Sequence, residues 1–334
     1  MSALIVLLCC DLFLQLTGYQ RGIYFDMLPL ARLVDSPALV QIAFGQWFAV
    51  HGFPRLPLLF TCVPAMQRVA LLHAVTTGHL ALLCDLRLED ATDDLVHIAA
   101  AAGQLQVLCY LLSINFKAGL ATAMEAAAAN GHLKVVEYLH RHRTERQSYR
   151  VIDAAAANGH IHVVRFLHFF RREGCSTAAM DLAAANGHLD VVEFLHKYRP
   201  EGYSKAAISL AAANGHLHIV QFIVEHLHAT WTSDTINRAA SSGHLVILKY
   251  LNERKPRHGF TMQAMDAAAT NGHFKVVSYL HDHGRIGCTE EGEAGAIENG
   301  HLDIVNFLHR HGLVHSTCCV CGYMKPRGHG CRST

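Results

Sequence analysis

The chain has 334 residues, 51% of them hydrophobic, with 28 Lys plus Arg against 27 Asp plus Glu and a formal net charge of +1. That length exceeds an ordinary single core and implies two domains or one elongated array, and a balance without charge blocks argues against a nucleic-acid arm or an acidic tail. Eleven cysteines, an odd number without framework spacing, fit reduced thiols rather than a disulfide scaffold, and no run reaches the roughly 18 uninterrupted apolar residues of a spanning helix.

Residues 1–66 differ in composition from the remainder of the chain. The opening "MSALIVLLCCDLFLQLTGY" has no basic start, is broken by Asp11 and lacks a clear small-x-small cleavage site, so it does not read as a secretory leader. The region holds Pro29, Pro37, Pro54, Pro57 and Pro64, five of the chain's eight prolines. Arrays need terminal caps, and a helical cap is the expectation here. Within it "DLFLQLTGYQRGIYFDMLPLARLV" resembles an F-box, the short helical segment that docks a ubiquitin-ligase adaptor, although that family places Leu-Pro first and its helices after.

From residue 67 the text repeats itself. Gly78, Gly103, Gly131, Gly159, Gly187, Gly215, Gly243, Gly272 and Gly300 follow one another at intervals of 25, 28, 28, 28, 28, 28, 29 and 28 residues. A regular period of this length marks a stacked-repeat architecture. In each unit a small-residue stretch such as Ala183 to Ala185 precedes Asn186-Gly187-His188, and Leu189, Val191, Val192, Phe194 and Leu195 follow. Alanine is the best helix former and lets neighbouring helices approach closely. The second segment lays a broad apolar face along a helix, and Asn-Gly supplies the left-handed turn between them. Thr122-Ala123-Met124-Glu125 reads as a capping box, and Pro200 and Pro256 fall between repeats. Glu125, Asp153, Asp181 and Asp266 share one register position, where a carboxylate in the first turn would favour the helix dipole rather than form a binding stripe.

The stretch "AAMDLAAANGHLDVVEFLH" at 178–196 resembles the ankyrin repeat family, whose pattern runs T-P-L-H-x-A-A-x-x-G-H-x-x-V-V-x-x-L-L. Met180-Asp181 stands where Leu-His would, and each unit is about five residues shorter than the usual 33. The resemblance covers residues 67–313. It implies an all-α solenoid of about nine helix-turn-helix repeats, with a shortened finger or plain loop in place of the family's β-hairpin, and a concave face presented to a protein partner.

The 26 histidines invite a metal reading. Turn histidines His132, His160, His188, His216, His244, His273 and His301 recur once per repeat, roughly 8 to 10 Å from their equivalents, too far apart to share a zinc ion bound at about 2.1 Å. They read as structural, hydrogen-bonding the loop backbone. His140/His142, His281/His283 and His309/His311 are spaced i, i+2, whereas helical metal pairs need i, i+4. In the tail, 314–334, Cys318 and Cys321 have the spacing of half a zinc site, but His329 and Cys331 match no usual second half. No metal or cofactor is expected.

Phosphate-cradling loops, nucleophile elbows and metalloprotease His-Glu spacing do not occur, so the chain does not read as an enzyme. The connecting segments vary while the framework does not. Recognition usually resides in loops on a rigid scaffold, and Tyr, Trp and Arg are the residues enriched at interface hot spots. Tyr149, Arg171, Tyr203, Trp231 and Arg257 are therefore the candidate partner-binding residues. The reading is a monomeric protein-binding scaffold, engaging neither nucleic acid nor membrane, in the cytoplasm with the nucleus left open. The alternative is a substrate-recognition adaptor of a ubiquitin ligase acting through residues 1–66.

Overall fold

The computed structural model describes residues 19–20, 23–86, 88, 93–116, 120–142, 148–171, 173–254 and 259–314. Every glycine of the period joins two helices. One compact unit runs to Cys175 and holds the pairs Met66–Thr77 with Leu80–Asp85, Leu95–Ala101 with Leu105–Ser113, Leu120–Ala129 with Leu133–His142, and Arg150–Ala157 with Ile161–Phe170. The second, from Ser176, holds Thr177–Ala185 with Leu189–Tyr198, Ala206–Ala213 with Leu217–Glu225, Ser233–Ser241 with Leu245–Glu253, Met262–Thr270 with Phe274–Gly284, and Glu290–Glu298 with Leu302–Arg310. The nine pairs match the number of repeats in the sequence.

The turn follows from its three residues. Gly131 and Gly215 take φ of 76° and 83°, a region where a Cβ costs about 1–2 kcal/mol. The next residue's N–H then reaches back five residues to an alanine carbonyl, as in His132 to Ala127, His216 to Ala211 and His244 to Ala239, each at 2.9 Å. This is the Schellman closure that satisfies the otherwise orphaned carbonyls of a helix end. The same histidine's carbonyl accepts from Leu248 at 3.2 Å in the repeat of His244. One residue thus ends the first helix and starts the second.

Packing follows from side-chain size. Within each unit the first helices of successive repeats lie side by side, while the second helices barely touch. Ala127 and Ala128, Ala183 and Ala184, Ala211 and Ala212, and Ala268 and Ala269 are wholly buried in that contact. A longer side chain would overpack it. The second helices contribute the larger apolar residues, Val135, Val136 and Leu139 in one repeat and Ile219, Val220 and Ile223 in another, each worth about 1.5–3 kcal/mol when fully buried.

Ahead of the repeats a two-stranded hairpin, Tyr19–Gln20 with Ile23–Tyr24, leads into helices Leu28–Arg32, Pro37–His51 and Leu56–Cys62. Pro29, Pro37 and Pro57 occupy the first or second position of these helices, where a missing N–H costs nothing. Helix Pro37–His51 buries Val40, Phe44, Trp47 and Phe48, and Phe44 meets His73 edge-on at 5.3 Å while Phe48 meets His79 at 5.5 Å. A Cβ on Gly45 would stand 2.8 Å from His73 Cε1, so this glycine admits the close approach. Asp26 ties the segment together, accepting from Trp47 Nε1 at 3.1 Å and Arg55 Nη2 at 3.0 Å. Burial lifts its carboxyl pKa, but those two hydrogen bonds and the charges of Arg55 and His51 more than offset this and hold it below the usual range.

Two local expectations are corrected. Helix Leu120–Ala129 begins before Thr122, so Thr122 is no N-cap; its hydroxyl meets His97 Nδ1 of the preceding repeat at 2.8 Å. Asp181 and Asp266 sit in the middle of their helices, too far along to sense the N-terminal dipole. Among the described residues the connectors form one β-bridge, Cys288 with Val314, in place of paired fingers.

Gly215→Ala is expected to cost about 2–4 kcal/mol, since the left-handed φ is strained and the added carbon would stand 2.6 Å from His244 Cε1. Gly202, with φ of +73° and open space around it, should cost only the strain, about 1–2 kcal/mol. Urea unfolding of both variants followed by circular dichroism checks this, and equal losses would refute the packing contribution. Separately, burial and then the neighbouring His79 lower the His73 pKa from the usual 6.5. A base depressed in the fold contributes stability that is present above the unfolded value and lost as pH falls through it. The stability difference between the wild type and His73→Gln should therefore shrink as pH drops below about 6.5, and a pH-independent difference in melting curves would refute it.

Candidate partner-binding surface

Most polar groups of the repeats are committed to the next repeat. The Nε2 of His132, His160 and His244 lies 3.0 Å from the carbonyls of Ala101, Ala129 and Ala213, and that of His273 lies 2.9 Å from Ser241. A carbonyl only accepts, so Nε2 carries the hydrogen in each. The acceptor is the end of the first helix one repeat back, rather than the histidine's own loop. Gln104, standing in the histidine register, donates to Thr76 in the same way at 2.9 Å. The asparagines reinforce this contact: Asn271 donates to the Ser241 carbonyl at 2.9 Å and Asn299 to that of Thr270 at 3.0 Å. His216 and His301 lie over Gly187 and Gly272 in the same fashion, and His188 stands at the N-cap position of helix Leu189–Tyr198.

The acidic register reaches forward instead. Asp181 accepts from the Ser204 N–H at 2.8 Å and its hydroxyl at 2.5 Å. Asp266 accepts from the Thr289 N–H at 2.7 Å and its hydroxyl at 2.9 Å, and from the Cys288 thiol at 3.2 Å. Asn237 Oδ1 accepts from the Thr261 hydroxyl at 2.5 Å. Thr261 and Thr289 in turn cap their own helices. Burial first, then the hydrogen bond and charge of Asp266 and the charge of Glu293, push the Cys288 thiol far up, leaving it unreactive.

A third ladder, of rings, follows the second helices and was not read from the sequence. Tyr138 stacks on His142 at 4.1 Å, Phe166 on Phe170 at 4.8 Å, Phe194 on Tyr198 at 4.8 Å, Tyr279 on His283 at 4.2 Å and Phe307 on His311 at 4.4 Å. In the repeat of Tyr250 the partner is the Arg254 guanidinium, 4.9 Å above the ring. His140 and His281 meet the next repeat's Phe166 and Phe307 edge-on at 5.5 and 5.7 Å. The pairs His140/His142 and His281/His283 are thereby divided between two rings, while His311 lies on Phe307 and His309 meets the Glu293 carboxylate. Among the described residues no group of three or more His, Cys, Asp or Glu side chains is placed to hold a metal. Cys318, Cys321, His329 and Cys331 lie outside the described residues. The signal for the ladder was an aromatic residue at every 28-residue step with a second ring four residues on, the spacing at which helix side chains meet.

Residues 96–175 and 151–235 match the family model of ankyrin repeats, in three copies. Across residues 96–235 the repeats are ankyrin repeats. No curated protein matches the chain. Among solved structures, the human ASB11 ankyrin repeat domain is similar at 17% identity, with a TM-score of 0.45, covering 55% of this chain and 96% of that one. No helix among the described residues is long and apolar enough to cross a membrane.

On this ankyrin framework the candidate residues fall in unlike settings. Tyr149, 49% exposed, begins helix Arg150–Ala157. Arg171 is spent: it grips Glu173 through Nη2 at 2.6 Å and Nε at 3.3 Å, and its side chain is only 9% exposed. Tyr203 and Trp231 are half-buried immediately before Ser204 and Thr232, in the register that Phe260 and Cys288 fill in later repeats. Phe260 packs on Tyr279 at 5.9 Å. Arg257 lies outside the described residues.

Removing the clasp separates its parts. His244→Ala should cost about 1–3 kcal/mol, because the Ala213 carbonyl loses its donor, and His244→Gln under about half of that, because an amide makes the bond at Gln104. Equal losses in urea unfolding would show that ring packing, not the hydrogen bond, dominates.

Proposed function

We propose that the chain is a non-catalytic scaffold that binds a protein partner through its connectors and the surface of its ankyrin stack. Ankyrin repeats are protein-interaction modules, and one observation carries the reading: framework polar groups are turned toward neighbouring repeats, so variation is left to the connectors and helix surfaces. Tyr149, Tyr203 and Trp231 are the aromatic anchors such a surface would use, within a cytoplasmic monomer. A full-length bait beside a folded Tyr149→Ala, Tyr203→Ala, Trp231→Ala variant tests this by affinity capture and mass spectrometry. One partner recovered with the first and lost with the second is expected. Recovery no different from empty resin would refute it.

A second reading, an adaptor of a ubiquitin ligase, is favoured by one observation. Helix Pro37–His51 buries one face on the first repeat and exposes Leu39, Ile42 and Val50 at 56%, 61% and 78% on the other. These lie at i, i+3 and i+11, one stripe of the helix, and an exposed apolar stripe marks an interaction site. A ligase adaptor recovered with the wild type and lost on changing these three residues to Asp would make this the function.

A further inference from the structure

Among the exposed large apolar residues, two are adjacent. Phe169 and Phe170 end helix Ile161–Phe170 with 67% and 63% of their surface in water. Such exposure is uncommon for two neighbouring phenylalanines on a soluble surface. In the repeat before, the same register is held by Arg141 and His142 at the end of helix Leu133–His142, and in the one before that by Ser113 and Ile114, the latter 44% exposed. The two helix ends are in contact, since His140 lies 6.2 Å from Phe170 and 3.4 Å from Arg171 Nη1. One turn back, Arg165 is exposed on the same strip as Phe169, four residues away and hence its neighbour. The patch is therefore apolar at its centre and cationic at its edge. Its charge is local: residues 137–173 carry seven arginines against Glu137, Glu145, Asp153 and Glu173 in a chain whose net charge is +1. Of those four acids, Glu173 is already paired with Arg171 and Asp153 is buried.

We infer that this patch docks an acidic protein segment that carries an apolar side chain, which seats against Phe169 and Phe170 while its flanking carboxylates face Arg141 and Arg165. The inference rests on the scaffold reading and names the partner chemistry of one of its surfaces. A peptide fits better than a nucleic acid because half-buried Glu137 borders the patch and the chain's net charge is only +1: the unbroken charge of a phosphate backbone could not avoid that carboxylate, whereas a peptide's discrete carboxylates can be set on the arginines and away from it. The segment would gain from burying the two rings and from bidentate contact with arginine, with an on-rate that falls as salt rises.

The test is selection of a random-sequence displayed peptide library on the full-length chain, followed by titration of the enriched peptides. The wild type, Phe169→Ala, Phe169→Ala with Phe170→Ala, and Arg141→Glu are compared, with circular dichroism confirming that each is folded. Enriched peptides should carry Asp or Glu around Leu, Ile, Phe or Trp, and should lose roughly tenfold or more in affinity with the Phe169→Ala chain and with Arg141→Glu. Peptides without acidic bias, or acidic peptides bound equally by the double phenylalanine variant, would overturn this site while leaving the scaffold reading intact. Failure to enrich any peptide would count against both. Binding of oligouridylate at this patch, or concentration-dependent self-association abolished by the double variant, would replace the acidic segment by another occupant and overturn the proposal.

Discussion

The stack depends on one contact, in which an imidazole lies where a neighbouring glycine has no side chain. Cβ atoms on Gly103, Gly131, Gly187, Gly215, Gly243 and Gly272 would all fall 2.5 to 2.7 Å from the ring of the next repeat's histidine. The glycine is thus required twice, once for a left-handed turn and once to open the seat that the ring fills. The ring is required for reach, because from this seat its Nε2–H meets a helix-end carbonyl that would otherwise be an orphan. Asn-Gly-His is a device split between repeats: each glycine is the seat for the repeat after it, and each histidine is the plug for the repeat before. No single unit contains a working copy, which is why one repeat cannot stand alone.

Once the clasp is fixed, the other registers follow. Holding helix ends this close brings the first helices together over their length, and only alanine-sized residues fit between them, as at Ala127, Ala211 and Ala268. Asp181 and Asp266 then find the next repeat's capping serine or threonine within reach, and their mid-helix position is explained by that partner rather than by the dipole. Within each unit the repeats are stapled at the turn by histidine, from mid-helix to the start of the next first helix by a carboxylate or amide, and between second helices by the edge contacts of His140 and His281.

How much of this was legible depended on whether the cause was local or between repeats. The turn was readable because Asn-Gly has one conformational meaning, and the helices were readable because alanine and the Val-Val-x-x-Leu face speak for themselves within a single unit. The direction of an interaction was not. Nothing in one repeat says that His244 acts on Ala213 and not on its own loop, or that Asp181 serves Ser204. The period does hold that information, but in comparison across units. Gln104 in the place of a turn histidine is an informative substitution, since it keeps a donor, to the Thr76 carbonyl at 2.9 Å. A register that tolerates only donors is a hydrogen-bonding register.

Periodicity assigns the histidines to the framework, and it applies equally to Tyr203 and Trp231, which share a register with Phe260 and Cys288 ahead of a capping hydroxyl. A large apolar residue just before a cap characteristically folds back over the first turn of the helix, and their half-burial fits that use. That leaves their exposed half for a partner, and function should be sought as well where a register breaks its own rule and the new side chain is left in water. Arg141 gives way to Phe169 from one repeat to the next, in a register that returns to charge at Lys197, Glu225, Glu253 and Asp282, with no gain in burial to account for it. Phe170 continues the ring ladder through Phe166, but packing does not require an exposed ring at Phe169, so whatever favours it lies outside the fold.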